Sequence, residues 1–205
     1  MYKKPIIAFE GIEGSGKTLH INNVASYLKK KGRKCIKIRE PGGNRNSEKI
    51  RKLILNNTSN FDKITDLLLY LAARNENIVN IIKKNIGKKI ILIDRFTDST
   101  LAYQHYGMGI NMNFIITINN FLLKNIKVSF TFLNLVNPKN MQLRLNLRKK
   151  LNRYDKFKIS FYNRVQNGYI KISSKNKKKY KIINSNKDIS INKEIIIDEF
   201  KKLIK

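Results

Sequence analysis

The chain concentrates glycine, lysine and threonine in one short stretch, FEGIEGSGKTLHI, at residues 9–21. Residues 11–18 match the pattern G-x-x-x-x-G-K-[ST] and lie between an apolar run and an amphipathic one. Glycines there allow backbone N–H groups to surround phosphate oxygens, and a following helix adds the positive end of its dipole. Lys17 is then expected to bridge the β- and γ-phosphates of a nucleoside triphosphate, and Thr18 to offer its hydroxyl to Mg²⁺. The stretch predicts a phosphate-binding loop, the P-loop.

An acidic and a basic residue follow a second apolar run. Asp94 closes the run IILID, and Arg95 comes directly after it. A carboxylate at the C-terminal end of a parallel strand points into the crevice where open α/β sheets bind ligands, so Asp94 is expected to reach Mg²⁺ or its waters. A helix N-cap is the alternative role for Asp94. The forked guanidinium of Arg95 suits a second phosphate.

Five short apolar runs alternate with helical patterns and must position these groups. The predicted strands are KPIIAFEG, KCIKIRE, KKIILIDR, KVSFTFLNL and KKYKIINS. The predicted helices are GKTLHINNVASYLKKKG, SEKIRKLILNN, DKITDLLLYLAARNENIVNIIKKNI, NFIITINNFLLKNI, NPKNMQLRLNLRKK and a C-terminal helix ending EFKKLIK. Near-continuous apolar strands fit a parallel sheet covered on both faces, so the pattern predicts an α/β fold with right-handed crossovers.

Length and composition limit the architecture and the partners. A chain of 205 residues favours one domain over residues 1–205. The 43 Lys and Arg against 14 Asp and Glu give a formal charge of +29, which raises nucleic acid or acidic membranes as partners. The lysines are spread throughout, among the abundant Asn and Ile that AT-rich codons also encode. A solvated surface is therefore favoured over a nucleic-acid site, although a polyanion patch stays open.

The cysteine count and the apolar runs bear on the cellular compartment that is expected for the chain. The single cysteine, Cys35, excludes an internal disulfide and is expected to be a buried strand residue. The chain has no N-terminal signal region and no apolar run of about 18 residues, so we expect a cytoplasmic protein without a membrane partner. The lysine-rich stretch 175–181 predicts a solvated turn. The basic stretch 148–156 interrupts two helical patterns and is a candidate mobile segment.

A nucleoside triphosphate site alone is compatible with GTPases, motors, ATPases and kinases. No N-K-x-D base-reading motif is present, which argues against a GTPase, and ATPase machines usually have much longer chains. A small domain with additional arginines favours a kinase of small phosphorylated acceptors.

Five motifs in order and spacing resemble those of bacterial thymidylate kinases: FEGIEGSGKT, REPGG, YLAAR, DRFTDSTLAYQ and NRYDKFKISFYNRVQNGY. The similarity runs from about residue 5 to about residue 173. The resemblance implies a P-loop nucleoside-monophosphate-kinase-like fold with a five-stranded parallel sheet flanked by helices and a short lid at about 148–156. It also implies a homodimer that transfers the γ-phosphoryl of Mg²⁺-ATP to dTMP, giving dTDP and ADP for dTTP synthesis. The ATP phosphates would contact the whole loop: Gly11, Ile12, Glu13, Gly14, Ser15, Gly16, Lys17 and Thr18.

The resemblance also assigns an acceptor site, residue by residue. Glu13 would contact the 3′-hydroxyl of the deoxyribose, which gives a reason for a carboxylate beside phosphates. Tyr70, at the place of a usual Phe, would stack on thymine, and Arg74, four residues later on the same helical face, would contact the base. The remaining assignments are Arg51 and Arg95 for the dTMP phosphate, Ser99, Thr100 and Gln104 for polar positions around thymine, and Tyr103 beneath the sugar, where a 2′-hydroxyl would collide. Taken without the resemblance, Tyr70 also fits a core position, Arg51 a surface position, and Ser99 and Thr100 helix caps.

The catalytic arginines are expected in the lid. Kinases of this family place such an arginine either in the P-loop or in the lid, and Ile12, Glu13 and Ser15 leave none in this P-loop. The resemblance then assigns Arg148 and Arg153 to the transferring phosphoryl group, together with Lys17 and Arg95, and assigns Arg144 less securely.

Three positions depart from the family pattern. Met108 stands where the family has an arginine in a glycine-rich stretch, Phe96 replaces a usual Tyr, and Asn152 takes the place of a common acidic residue. The alternatives that remain open are a kinase of another nucleoside monophosphate or of a deoxynucleoside, a basic nucleic-acid-binding protein that retains the fold, and an inactive homologue.

Overall fold

The computed structural model describes residues 4–204 and contains a five-stranded sheet in which all neighbouring strands are parallel. The strand order is β2-β3-β1-β4-β5. The strands are β1 Ile6–Glu10, β2 Cys35–Arg39, β3 Ile90–Asp94, β4 Phe130–Leu135 and β5 Tyr180–Asn184. The prediction of a five-stranded parallel sheet is confirmed, and each apolar run quoted above contains one strand.

Nine α-helical segments flank the sheet within the described residues. They are α1 Lys17–Lys30, α2 Arg45–Leu55, α3 Lys63–Asn77, α4 Lys83–Asn85, α5 Thr97–Thr100, α6 Met112–Leu123, α7 Pro138–Asn146, α8 Ile159–Ser174 and α9 Ile189–Leu203. The π-helical stretch Ile78–Ile82 joins α3 to α4, so the long helix predicted from Asp62 is wound differently in its second half. The predicted C-terminal helix was extended to residue 205, which lies outside the described residues.

Apolar side chains fill both faces of the sheet. Ile7 and Phe9 of β1 pack on one face with residues of α1 and α9, and the Phe9 ring stacks on Phe132 with 5.1 Å between centroids. Ile6 and Ala8 point to the other face, beside the π-helical stretch and α6. Alternate residues of a strand point to opposite faces, and burial of both sets explains the unbroken apolar run. Cys35 lies in β2 as expected but is only half-buried.

Two helical segments had no bounds predicted from the sequence: α5, with its π-helical continuation Leu101–Gly107, and α8. They pack against each other at very close range. An added Cβ at Gly168 would lie 2.6 Å from Cγ of Tyr106, and one at Gly107 would lie 2.7 Å from Cε2 of Phe161. Tertiary packing of this kind stabilises helices whose Asn, Gly and aromatic residues are weak helix formers.

Two turns at the C-terminal edge of the sheet create the place where the site lies. β1 and β3 are neighbours, with Phe9 opposite Asp94, and β1 leads into the P-loop while β3 leads into Arg95. Arg95 has a positive φ of 65°, which is uncommon for a residue other than glycine, and its N–H donates to the Phe9 carbonyl at 3.0 Å. The two chemistry-bearing turns are therefore held side by side.

The lysines of the short 3₁₀ turn Lys177–Lys179 are exposed, as predicted for a solvated turn, but Tyr180 and Lys181 at the end of the predicted stretch 175–181 belong to β5. Within residues 4–204, no helix has the length and apolar character needed to cross a membrane.

Candidate active site

The P-loop requires glycine at specific positions. Gly11, Gly14 and Gly16 all have positive φ, at 138°, 69° and 84°. A Cβ at Gly11 would also collide with the carbonyl oxygen of Asn134 in the next strand. Gly16 is the N-cap of α1 and provides no side-chain cap, so the first N–H groups of the helix stay free to bind an anion.

Lys17 folds back into this loop. Its Nζ donates to the carbonyl oxygens of Gly11 at 2.9 Å and Ile12 at 2.8 Å, and to Oγ of Ser15 at 3.2 Å. Burial lowers the pKa of the Lys17 ammonium to about 7, and the nearby charge of Arg95 acts in the same direction. A bound phosphate would favour the charged form of Lys17, so an anion in this loop would be stabilised by the ammonium group.

Thr18 and Asp94 meet at the start of α1. The Thr18 hydroxyl donates to Oδ2 of Asp94 at 2.7 Å, so an alcohol oxygen and a carboxylate oxygen lie side by side. Such hard oxygen donors suit Mg²⁺, which commonly takes one or two protein ligands and completes its shell with phosphate oxygens and water. In the part of the chain that the structure describes, no group of three or more His, Cys, Asp or Glu forms an all-protein metal cage. The residues present therefore fit a magnesium ion that is carried in with a nucleotide.

Glu13 connects the P-loop to Arg95 and Tyr103. Its Oε1 accepts from Nη2 of Arg95 at 2.8 Å, and its Oε2 accepts from the Tyr103 hydroxyl at 2.5 Å. Burial by itself raises the pKa of the Glu13 carboxyl, but the charges of Arg95 and Lys17 outweigh it and the net pKa lies below the usual value. Glu13 is thus an ionised carboxylate, with Arg95 placed over the Tyr103 ring at 5.0 Å.

A buried network supports the turn that carries Arg95. The Glu10 carboxylate accepts from the Phe96 N–H at 2.8 Å, from the Ser99 hydroxyl at 2.6 Å and from the Tyr169 hydroxyl at 3.2 Å. Neither Glu10 nor Tyr169 has a role predicted from the sequence. An acidic residue at the end of an otherwise apolar strand was the available signal, because a buried carboxylate needs donors.

A cavity of about 230 Å³ opens beside these groups, and we call it the acceptor cavity. All nine residues that the resemblance assigned to dTMP line it: Glu13, Arg51, Tyr70, Arg74, Arg95, Ser99, Thr100, Tyr103 and Gln104. Lys17, Thr18 and Asp94 also reach its wall. The structure therefore brings the phosphate-binding loop and the predicted acceptor residues to one space.

The acceptor side chains differ in how they are held. Nη1 of Arg51 donates to the Pro41 carbonyl at 2.6 Å, so this guanidinium is fixed at the wall and is not a free surface group. The ring of Tyr70 meets Tyr154 edge-on, with 5.9 Å between centroids. Nε2 of Gln104 is buried and has no partner among the described residues, which marks it as a donor available to a ligand.

The expected lid arginines are held in three different places. Arg148 lines the acceptor cavity and pairs with Asp155 at 2.5 Å. Arg153 lies outside the cavity wall, where it pairs with Asp66 of α3. Arg144 donates to the Gly14 carbonyl at 2.8 Å, so it contacts the back of the P-loop.

The three departures from the family pattern are accommodated locally. The Phe96 ring lies under the Arg74 guanidinium, 5.1 Å from its centroid to Cζ. Met108 packs against the apolar cluster between α8 and the π-helical continuation of α5. Asn152 donates its side-chain N–H to Asp155 at 2.5 Å, so it helps to hold the carboxylate that pairs with Arg148.

Some lining residues received no individual role from the sequence. They are Arg39, Glu40, Pro41, Leu55, Tyr154 and Asp155. The first three belong to the REPGG motif, residues 39–43, which supported the resemblance without a function for its members. The other three come from the ends of α2 and the lid, and only the tertiary fold brings them to the cavity.

A P-loop at the C-terminal edge of a parallel sheet, next to a cavity that carries several further arginines, defines a P-loop kinase of the nucleoside monophosphate type. The model of the family described as thymidylate kinase matches residues 9–196. The thymidylate kinase of Sulfurihydrogenibium sp. (strain YO3AOP1) is 37% identical over 198 residues, which cover 96% of each chain. That of Thermosipho africanus (strain TCF52B) is 40% identical over 168 residues, 82% of this chain and 83% of the relative.

A solved structure agrees with these sequence relatives. The crystal structure of thymidylate kinase from Ehrlichia chaffeensis has a TM-score of 0.79 and 32% sequence identity, over 97% of this chain and 98% of the other. The chain belongs to the thymidylate kinase family and is a phosphotransferase.

Proposed function

We propose that the chain transfers the γ-phosphoryl group of Mg²⁺-ATP to the 5′-phosphate of dTMP, giving dTDP and ADP. The observation that carries this proposal is the shared cavity, because Lys17 of the P-loop and Arg95 and Arg51 of the acceptor wall line the same space. Two phosphorylated substrates bound by these groups would have their phosphates adjacent.

The acceptor is held at three parts of the molecule. Arg95 and Arg51 bind the phosphate, and the ionised Glu13 carboxylate accepts from the 3′-hydroxyl. The ring of Tyr103, fixed by its hydrogen bond to Glu13, leaves no room for a 2′-hydroxyl. The base is bound by Tyr70, Arg74 and Gln104. Ser99 and Thr100 are the polar groups that lie nearby.

The donor phosphates are held by the backbone of residues 11–18 and by Lys17. Thr18 and Asp94 would hold a magnesium ion, which would neutralise phosphate charge when it is bound with the nucleotide. In the transfer, an oxygen of the acceptor phosphate forms a bond to the γ-phosphorus while the bond from that phosphorus to the β–γ bridging oxygen breaks. The acceptor phosphate is already a nucleophile near neutral pH, so catalysis consists of positioning and charge stabilisation, with no strong general base.

Arg148 supplies charge from the lid at 148–156, and Arg153 holds the lid in place through Asp66. With the lid closed, water is excluded from the transferring group, which suppresses ATP hydrolysis.

We also infer a single-domain cytoplasmic enzyme that works as a homodimer. Support for a homodimer comes from large apolar side chains left exposed on α3 and α6, namely Leu68, Phe114 and Phe121, the last 75% exposed. Sedimentation of the purified protein tests this assembly.

The function is tested by ADP release with Mg²⁺-ATP and a panel of acceptors: dTMP, its ribose counterpart, dUMP, dCMP, AMP and thymidine. Selective turnover of dTMP is expected. Lys17→Met should lose at least about 100-fold in rate, because a phosphate-binding charge is removed. Lys30→Met, at the exposed end of the same helix, is the matched control and should leave the rate unchanged.

Two results would contradict the proposal. Preferred turnover of a ribonucleotide or of thymidine would show that the acceptor pocket has been assigned wrongly. No turnover with any acceptor, by protein that is folded by circular dichroism, would favour the inactive or nucleic-acid-binding alternatives.

A further inference from the structure

Arg74 is a buried charge at the wall of the acceptor cavity. Its side chain is 2% exposed, yet it borders the cavity. Nε donates to Oε2 of Glu40 at 2.8 Å, and Nη1 donates to Oδ1 of Asn119 at 2.6 Å. The Phe96 ring lies beneath the guanidinium plane. Three parts of the fold therefore hold one guanidinium.

The two polar partners of Arg74, Glu40 and Asn119, have different roles. Glu40 supplies the opposite charge that a buried arginine needs. Asn119 is neutral, so its carbonyl oxygen adds little charge compensation and mainly fixes the rotation of the guanidinium. A guanidinium has five N–H groups, and Nη2 has no protein partner among residues 4–204. Since Nε and Nη1 are directed to Glu40 and Asn119, the Nη2 edge remains for a ligand in the cavity.

Asn119 itself lies outside the cavity wall. It is 5% exposed on α6, which no sequence motif of the site covers, and it is 45 residues away from Arg74 in the chain. Packing alone does not explain a buried asparagine whose carbonyl oxygen accepts from Arg74. An apolar side chain of similar shape would fill the space and would leave no polar group that needs a hydrogen bond.

The family resemblance assigns the base contact to Arg74. We propose that Asn119 is a positioning residue that aims this guanidinium at an acceptor oxygen of the pyrimidine, so that Asn119 sets how strongly a carbonyl at C4 is preferred over an amino group. The proposal rests on the function proposed above. Arginine offers only donors, so a C4 carbonyl pairs with it, whereas the amino group of cytosine places donors against donors. The aim of the guanidinium then decides how strongly the two bases are distinguished.

The test is the ratio of kcat/KM for dTMP to kcat/KM for dCMP. Asn119→Leu keeps the branched shape and the number of side-chain heavy atoms, removes the acceptor oxygen and leaves the Glu40 counter-charge in place. We expect its kcat/KM for dTMP to fall about 10-fold, mainly through KM for dTMP, as for loss of one hydrogen bond to a charged group. The value for dCMP and the KM for ATP should stay unchanged, so the ratio also falls about 10-fold.

Two further variants separate positioning from a structural effect. Asn119→Asp retains the oxygen that accepts from Nη1 and should keep the ratio near the wild-type value. Asn120→Leu, at the exposed neighbouring position, is the matched control and should change neither value.

The inference is overturned if Asn119→Leu lowers kcat/KM for dTMP and dCMP in parallel, or lowers neither. Failure of the proposed function looks different, because it would show as wild-type protein without dTMP turnover. If Asn119→Leu does not fold, the ratio measured for Asn119→Ala, compared with Asn119→Asp, decides in the same way.

Discussion

Asp66 of α3 is the residue whose replacement should release the lid. Its side chain is 2% exposed, with one carboxylate oxygen accepting from Arg153 and the other from the Tyr154 hydroxyl. Arg153 also donates to the Ile54 carbonyl at 3.1 Å. We predict that Asp66→Asn, which keeps the shape and one acceptor but removes the charge, opens the lid without unfolding the domain.

The free-energy cost of Asp66→Asn follows from the burial of its ion pair with Arg153. Removal of one partner of a buried ion pair costs about 3–5 kcal/mol, because the other charge is left without compensation. Arg153 is 16% exposed and keeps the Ile54 carbonyl, so part of its solvation is recovered and about 2–3 kcal/mol remains. Since about 1.4 kcal/mol is tenfold in an equilibrium constant, the open population of the lid should rise about 30- to 150-fold.

Trypsin measures this opening, because Lys149 and Lys150 lie within the lid and cleavage after them requires the surrounding backbone to leave its packed position. When closing is faster than cleavage, the cleavage rate follows the open population. Asp198→Asn, which removes an exposed carboxylate paired with Lys201 on α9, is the matched control and should leave cleavage unchanged.

Cleavage of Asp66→Asn at the wild-type rate would contradict a lid that is held by this ion pair. A double-mutant cycle gives a second check. Asp66→Asn and Arg153→Gln should together cost much less than the sum of the single changes, and additive costs would show that the two side chains do not act as a pair.

Three further predictions concern the rest of the site. Thr18→Ala should raise the Mg²⁺ concentration needed for half-maximal rate about 10-fold, with little change in the KM for dTMP. A magnesium titration at saturating ATP measures this, and an unchanged midpoint would contradict the role of Thr18. Tyr103→Phe removes the hydrogen bond to Glu13 but keeps the ring, so the KM for dTMP should rise about 5-fold while the ribose counterpart stays excluded; entry of the ribonucleotide would show that the ring is not the barrier. Burial, and then the charge of Asp98, raises the pKa of the Glu10 carboxyl from 4.5 to about 7. The folded state therefore binds one more proton than the unfolded state between these values, and the free energy of unfolding should fall by about 3 kcal/mol as pH rises from 4.5 to 7. Urea unfolding across that range should show this fall in wild type and not in Glu10→Gln, and equal slopes would contradict it.

The P-loop and the sheet were predictable because their determinants are local. A glycine that must have positive φ, an apolar run of five residues and a helix that begins at Lys17 all follow one another in the chain. Asp94 and Arg95 could be placed near the P-loop because neighbouring parallel strands end at one edge. The confirmed sheet therefore needed no knowledge of tertiary contacts.

The parts that escaped prediction depend on contacts between distant residues. The close packing of α8 on the stretch Leu101–Gly107 depends on two glycines, Gly107 and Gly168, and no periodicity of the sequence reveals it. Arg153 was expected near the phosphates because its position in the motif matches the family, but a motif gives the place in the chain and not the partner of the side chain. The contact with Asp66, 87 residues away, is visible only in the fold.

The charge of the cavity differs from that of the chain as a whole. Six cationic side chains and four acidic ones line the cavity, against 43 and 14 in the sequence, so acids are concentrated where the chain otherwise has few. Three of the four acids pair with a lining arginine: Glu13 with Arg95, Glu40 with Arg74, and Asp155 with Arg148. If the charge of the cavity served only to attract anions, these acids would weaken it. Each of these acids pairs with one guanidinium, which indicates that the acids serve to orient the arginines. Because the net positive charge is spread over the surface, the rest of the molecule supplies the long-range attraction of phosphates, and the ion pairs can set the geometry of the site.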